Sequence, residues 1–128
     1  MKYFKREEFR HAPERTSPLL MGTMDRLRAL AGVPIHIHVA WSDAGHSPNS
    51  MHYKGKACDF HFDGLSPLEQ FACISCFPGF NGVGYYPWWN HPGWHVDLRV
   101  PRLYWTSPAQ GKYIYDMKAL LRTISTMK

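Results

Sequence analysis

The segment WHVDLRV, residues 94–100, alternates strictly between apolar and polar side chains. This period of two is typical of a β-strand that buries one face and leaves the other accessible. The segments VPIHIHVA (33–40) and ACDFHF (57–62) alternate in the same way, and NGVGYY (81–86) is typical of a further strand. We therefore expect an antiparallel sheet with one apolar face and one face that carries His, Asp and Arg. The positions assigned to the apolar face are Val33, Ile35, Ile37, Val39, Cys58, Phe60, Phe62, Trp94, Val96, Leu98 and Val100.

Three other segments have the start signals or the spacing of amphipathic helices. The first begins at SPLL (17–20), where serine is a good N-cap and proline suits the first helical position, and Gly32 suits its end. The second begins at SPLE (66–69), a capping box, and should end before Pro78. The third covers about residues 112–126. Together these elements predict a single α+β domain over residues 1–128, with a small antiparallel sheet and helices packed on one face.

Composition and charge exclude some classes of protein. A chain of 128 residues with 45% hydrophobic residues can bury a real core and is not a disordered tail. A net charge of +5 favours polyanionic partners, such as nucleic acid, membrane surfaces or an acidic cell-wall polymer. The Lys and Arg residues are scattered, however, and no nucleic-acid motif is present, so we expect no nucleic-acid partner.

The N-terminal segment MKYFKREEFR lacks the apolar stretch of a signal peptide, and no segment is long enough to span a bilayer. We therefore expect synthesis in a cytoplasm, retention there unless another agent releases the protein, and a monomer. The cysteines Cys58, Cys73 and Cys76 cannot all pair within the chain. A C-x-x-C pair can indicate redox chemistry or half a zinc site. Because this pair falls in a predicted helix and no second pair exists, we expect buried thiols instead.

His52, Asp59 and His95 are candidate metal ligands. Zinc is bound by imidazole and carboxylate groups, and a catalytic zinc site keeps three protein ligands and one open position. His52 lies seven residues before Asp59 across a short turn that contains Gly55, and His95 comes from a neighbouring strand. Only one long loop must be closed to bring them together. The spacing alone leaves a second interpretation open, ordinary surface or core histidines, because eight histidines in 128 residues give many chance pairs.

The segment SMHYKGKACD (50–59) resembles the S-x-H-x-x-G-x-A-x-D motif of zinc D-Ala-D-Ala carboxypeptidases and related peptidoglycan peptidases. The segment HVDLR (95–99) is similar to that family's second motif, H-x-D-x-R, and FNGVGYY (80–86) to the glycine-rich strand before it. The match covers about residues 17–100, in the family's order. The resemblance implies a small α+β domain with the site on an antiparallel sheet, a fold that the hedgehog signalling domain also uses.

By this resemblance, His52, Asp59 and His95 hold zinc, which would activate water and polarise the scissile carbonyl. Asp97 would orient an imidazole from behind, or else be a plain surface carboxylate. Ser50 would hydrogen-bond the substrate or cap its loop. Arg99 would bind the substrate or pair with a carboxylate.

The chain departs from the family pattern at two places. Many members carry a glutamate general base three residues before the last His ligand, and here that position is Pro92. Another branch uses a His in the same short loop, so we predict His91 as the general base, with His46 in reserve. Relatives often have an S-G-Y-R run after the first strand, whereas this chain has VAWSD (39–43) without arginine. Carboxypeptidase and endopeptidase activity therefore both remain open.

The remaining histidines and tryptophans have less specific roles. His36, His38 and His61 lie on the predicted site face, where we expect them to pack beside a polar groove, although they could compete as ligands. Trp94 alternates with His95 and should lie in the core. For Trp88 and Trp89, both a core position and a position in a cleft wall stay open.

Two functions follow as hypotheses. The first is a zinc metallopeptidase that hydrolyses peptidoglycan stem peptides next to D-amino acids, for example a phage-type lysis enzyme that acts on the wall once it is released. The second is a zinc-containing binding module of the same fold without catalysis, which the missing glutamate and arginine favour.

Overall fold

The computed structural model describes residues 1–126, and its centre is a five-stranded sheet. The strand order is β1-β2-β4-β3-β5, and all neighbours are antiparallel except the parallel pair β3 and β5. The predicted α+β class with a small, mainly antiparallel sheet is confirmed. The strands are β1 Ile35–Val39, β2 Ala57–Phe62, β3 Gly82–Tyr86, β4 Gly93–Asp97 and β5 Leu103–Thr106.

The predicted strand over 94–100 is too long, and β5 was not predicted at all. β4 ends at Asp97, and Val100 is 85% exposed rather than on the apolar face. Pro101, which has no N–H to donate to a sheet, follows directly, so the chain leaves the sheet here. It then returns as β5 on the far side of β3, in the parallel direction.

In the described part of the chain, three α-helices cover the apolar face of the sheet. They are α1 Pro18–Ala31, α2 Pro67–Ser75 and α3 Met117–Thr126. The predicted caps are confirmed: the Ser17 side chain accepts from the N–H of Leu20, and Ser66 and Glu69 form a reciprocal capping box. Within residues 1–126, none of the helices is long and apolar enough to cross a membrane.

The third helix begins at Met117 rather than near residue 112. The reason is a backbone bridge, in which Ile114 and Thr106 exchange both N–H···O bonds at 2.9 and 3.1 Å. This bridge keeps residue 114 extended beside β5. The carboxylate of Asp116 then accepts from the N–H of Ala119 and supports the first turn of α3.

The core lies between the helices and one face of the sheet. Trp94 is fully buried there, as predicted, and its indole N–H donates to Gln70 in α2 at 2.8 Å. Each such large side chain contributes roughly 1.5–3 kcal/mol by leaving water. Buried core residues include Leu20, Met24, Leu27, Ile35, Ile37, Phe60, Ile74, Val83, Tyr85, Val96, Leu120 and Ile124.

A β-bulge in β1 changes which side chains reach the core. Ile37 pairs with Phe60, but Val39 rather than His38 is the next register partner, opposite Asp59. The extra residue shifts the alternation, so Ala40 is fully buried and Val39 is only half-buried. The prediction that Val39 shares the apolar face with Ile37 is therefore wrong. The bulge also aims the Ala40 carbonyl towards the polar face.

The cysteines follow the prediction only in part. Cys58 is buried in the core, Cys73 is half-buried in α2, and all three thiols are free. Cys76 is exposed, because α2 ends at Ser75 and Cys76 is the residue after its last turn. The expectation of a buried thiol is thus wrong for Cys76.

A buried carboxylate attaches the N-terminal segment to α1. Asp25 accepts three backbone N–H bonds, from Lys2, Tyr3 and Phe4, at 2.8–3.0 Å. Burial alone would raise the pKa of Asp25, but these three bonds hold it below its ordinary value.

Candidate metal centre

The three predicted ligands converge on the polar face of the sheet. Asp59 on β2 and His95 on β4 are directly opposite each other in the antiparallel register. His52 comes from a 3-10 turn, Met51–Lys54, that lies over the end of β2. The Asp59 Oδ1 atom is 3.1 Å from His52 Nε2 and 2.8 Å from His95 Nδ1, and one donor atom from each residue lies within 4.8 Å of the others. This group could hold a metal ion.

Backbone contacts fix the position of His52. The Ser50 side chain accepts from the N–H of His52 at 3.2 Å, so Ser50 caps the turn that carries the ligand. Gly55 ends the turn at φ 68°, and a Cβ there would overlap the carbonyl of Arg15. The Ala40 carbonyl, aimed by the bulge in β1, accepts from His52 Nδ1 at 2.6 Å. This bond directs Nε2 towards Asp59.

A hydrogen bond to Asp97 fixes the orientation of the His95 ring. His95 Nε2 donates to Asp97 Oδ2 at 2.7 Å, so of the two roles left open for Asp97 the structure shows the one that orients an imidazole. Asp97 is fully buried and pairs in turn with Arg99, whose Nη2 is 2.7 Å from the same oxygen. The neighbouring strand leaves room for this pair, because a Cβ on Gly82 would overlap the Asp97 carboxylate.

The hydrogen-bond geometry of His52 favours a cation between its ring and Asp59. The Ala40 oxygen can only accept, so His52 Nδ1 carries the proton and a neutral His52 presents a lone pair at Nε2. That lone pair faces a carboxylate oxygen, an arrangement that is favourable only with a proton or a metal ion between them. The donor set of two imidazoles and one carboxylate suits several first-row metals, zinc among them, so the residues fit a metal ion.

Hydrogen bonds and neighbouring charges together outweigh the effect of burial on the pKa values of the group. Burial would lower the pKa of His95, but its bonds to Asp59 and Asp97 raise it to about 9. Burial would raise the pKa of Asp59, yet its bonds to the two imidazoles hold it well below the ordinary value.

The group lies at the base of a cavity of about 630 Å³. His46 lines this cavity and stacks on the His52 ring at 4.2 Å between centroids. The Tyr53 hydroxyl holds the His46 backbone, since it accepts from the His46 N–H at 2.9 Å and donates to the His46 carbonyl at 2.7 Å. Burial and the neighbouring His52 lower the pKa of His46, which favours the neutral form of its ring.

Aromatic side chains form the opposite wall. Trp88 and Trp89 line the cavity and are half-buried or exposed, so neither lies in the core. The ring of Trp105 packs over β3, where a Cβ on Gly84 would overlap it, and Arg99 lies over the same ring at 4.9 Å. The other aromatic residues that line the cavity are Tyr86, Tyr113 and Tyr115.

His91, the predicted general base, lies in a neighbouring pocket of about 760 Å³. Its ring stacks on His61 at 4.5 Å, and it is not among the described residues that line the cavity above the metal-binding group. His36 and His38 line the same second pocket. We call His36, His38, His61 and His91 the four-histidine group. Of the two histidines that the sequence offered as a base, the structure brings His46 beside the ligands.

Several functional residues were not found from the sequence. Tyr53, Trp105, Tyr113 and Tyr115 lie in or beside the cavity but carry no motif. One signal was available for Trp105, because Gly82 and Gly84 alternate on the polar face of β3 and make room for large neighbours. The role of the Ala40 carbonyl depends on the bulge, which the residue pattern does not reveal.

Comparisons with protein-family models, with curated proteins and with solved structures find no match. The fold and the site therefore define a class, a small α+β protein with a buried group of two histidines and one aspartate that could hold a metal ion.

Proposed function

We propose that the protein is a zinc-dependent peptidase that hydrolyses peptidoglycan stem peptides next to D-amino acids. The observation that carries the proposal is the convergence of His52, Asp59 and His95 at the base of one open cavity. These residues are the positions that the resemblance to zinc D-Ala-D-Ala carboxypeptidases assigns to the metal. Three protein ligands leave a further coordination position for water, as catalytic zinc sites require.

Bound zinc would bring the pKa of a water molecule near neutrality and polarise the scissile carbonyl. The side chains around it would position the reactants and move the proton. We assign the general base to His46 rather than to His91, because His46 stacks on a ligand and lines the cavity. A ring nitrogen of His46 would take the proton from the attacking water and return it to the leaving amine. Tyr53 would keep His46 in reach through its two backbone bonds.

The cavity walls suit a short peptide with an acidic end. Arg99 donates to Asp97 through Nε and Nη2, which leaves its Nη1 group for a carbonyl or a carboxylate of the substrate. The aromatic wall offers flat apolar surfaces for alanine methyl groups and for the stem of a longer side chain. The net charge of +5 favours approach to an acidic wall polymer.

A second candidate function is a zinc-containing binding module without catalysis. Among the residues that the structure describes around the cavity, Asp59 is the only carboxylate. If His46 does not accept the proton, no acidic side chain there replaces it, and the same cavity would bind a wall peptide without cleaving it.

The test combines metal analysis with mass spectrometry of digested peptidoglycan. We expect stoichiometric zinc, and stem-peptide fragments or free D-alanine that a chelator prevents. The products also identify the bond, which separates carboxypeptidase from endopeptidase activity. If zinc binds through Asp59 but walls of different cross-link chemistry stay intact, the enzyme is rejected and the binding module remains. The Asp59→Asn variant is the matched control for both measurements.

A further inference from the structure

We propose that His38, His61 and His91 form a second metal site, for a divalent first-row transition metal ion, separate from the group of His52, Asp59 and His95. The proposal does not depend on peptidase activity.

The first observation is a pair of ring nitrogens that point at each other. His38 Nε2 and His61 Nδ1 are 2.6 Å apart, on the neighbouring strands β1 and β2. One proton lies between them, because one nitrogen must donate and the other accept. A metal ion replaces such a proton when both nitrogens offer their lone pairs to one point. The two strands therefore provide two ligands that are already aimed at one place.

The third ligand comes from the loop between β3 and β4. The His91 ring is parallel to the His61 ring, with 4.5 Å between centroids and an angle of 12°. His91 is exposed and lies in a turn region outside the strands. To bind the same ion as the pair, His91 must rotate about the bonds to its Cβ, so that a ring nitrogen leaves this stacked position and turns towards the pair.

The position of these residues keeps the second site apart from the first. They line the second pocket with Arg10, and none of them lines the cavity above His52. His36 also stacks on His61, with 5.0 Å between ring centroids, but its Nε2 lies 3.6 Å from Asp63 and is turned towards that carboxylate. His36 therefore supports the pair and is not needed as a ligand.

The donor chemistry selects the kind of ion. Imidazole ligands suit Cu²⁺, Ni²⁺ and Zn²⁺, whereas Ca²⁺ and Mg²⁺ require oxygen ligands. Two nitrogens bound tetrahedrally at about 2.0–2.1 Å from one ion are roughly 3.3 Å apart. The present separation of 2.6 Å must therefore open by well under 1 Å, which a small rotation of two half-buried rings supplies.

The test counts metal ions on the full chain. The chelator-stripped protein is dialysed against buffered free Zn²⁺ and analysed by mass spectrometry. We expect two ions per chain for the parent, one for the double variant His38→Gln/His61→Gln, and one for His52→Gln, which affects only the first site. His91→Gln should weaken the second ion at least tenfold. His11→Gln is the matched control and should keep two, because His11 contacts Trp41 outside both groups.

A second measurement uses a paramagnetic ion as the probe of the same site. Cu²⁺ is added in one equivalent to protein whose first site already holds zinc, and its electron paramagnetic resonance spectrum is recorded. We expect splitting from two or three bound nitrogens, and loss of this signal in the double variant if that variant is folded. A parent that binds one zinc ion in total, or a copper spectrum without nitrogen splitting, overturns the proposal. Failure of the peptidase test leaves both of these results unaffected.

Discussion

Two groups of histidines lie on the same face of the sheet, and they differ in whether a carboxylate lies between the imidazoles. The first group surrounds a carboxylate, since Asp59 contacts His52 and His95. In the four-histidine group, the closest contact is between two imidazoles, and the Asp63 carboxylate lies 3.6 Å from the exposed His36. The same residue type is thus placed in two opposite electrostatic environments.

The pKa values show the effect of that difference. Burial and the positive charges of neighbouring histidines lower the pKa of His61 to about 4. Burial acts in the same direction on His95, but two carboxylates outweigh it and raise the pKa to about 9. The two groups therefore differ in the charge that they offer an ion, although both present imidazoles. The central carboxylate of the first group orients its histidines and adds a negative charge that strengthens the binding of a divalent cation.

The largest effect on zinc affinity is expected when the central carboxylate, Asp59, is removed. The Asp59→Asn variant should lose roughly 100-fold or more in zinc affinity at the first site, since even residues behind a ligand commonly contribute 10–100-fold. Hydrolysis, if the protein is a peptidase, should fall to background. Zinc competition with a chromophoric chelator measures the affinity. The comparison fails if Asp59→Asn binds zinc as tightly as the parent.

The next effect separates the two candidate bases, His46 beside the first group and His91 in the four-histidine group. His46→Ala should lower kcat by about 10²–10⁴-fold, the usual contribution of a general base, with little change in KM. His91→Ala should stay within about twofold, because His91 lies in the second pocket. Hydrolysis of a synthetic stem peptide at saturating zinc measures both. The opposite ranking would return the base to His91 and reject our assignment.

A smaller effect on zinc affinity is expected from Asp97, the carboxylate that is hydrogen-bonded to the ligand His95. Asp97→Asn should weaken zinc binding by about 10–100-fold, because His95 loses the partner that fixes its ring. Asp63→Asn is the matched control, since Asp63 faces a histidine of the other group at 3.6 Å. It should leave the first site unchanged. Equal losses in both variants would mean that net charge, rather than the Asp97–His95 contact, controls the affinity.

The smallest expected effect is on the stability of the fold. It concerns Asp25, whose carboxylate accepts hydrogen bonds from backbone N–H groups rather than from imidazoles. Asp25→Asn should cost about 1–3 kcal/mol of unfolding free energy at pH 7, because bonds to a charged acceptor are stronger. The pKa of Asp25 is lower in the folded protein than its ordinary 3.8. Its contribution is therefore complete above pH 3.8 and is lost as the pH falls through the lower, folded value.

Urea unfolding of parent and variant at a series of pH values measures this contribution. The difference between the two proteins should be constant near neutrality and shrink only below about pH 4. A difference that disappears near pH 6 instead would indicate that histidines, not Asp25, are responsible.

Most of the fold was predictable because local signals agree with the tertiary structure. Ser17 and Ser66 mark the starts of their helices by capping, and the alternation of apolar and polar residues marks β2 as a strand. Both signals depend only on residues that are close in the sequence. The bulge at Val39 and the parallel strand β5 depend on pairing with distant segments, so the sequence did not indicate them. The ligand group was predictable by resemblance, whereas the separate pockets of His46 and His91 follow from loop packing.

The most direct test of the account is a crystal structure of the zinc-loaded protein with anomalous scattering recorded at the zinc edge. The account predicts an anomalous peak at about 2.0–2.2 Å from His52 Nε2, an Asp59 carboxylate oxygen and His95 Nδ1. A zinc-loaded crystal with no peak between these three side chains, or with the three turned away from one another, would contradict it.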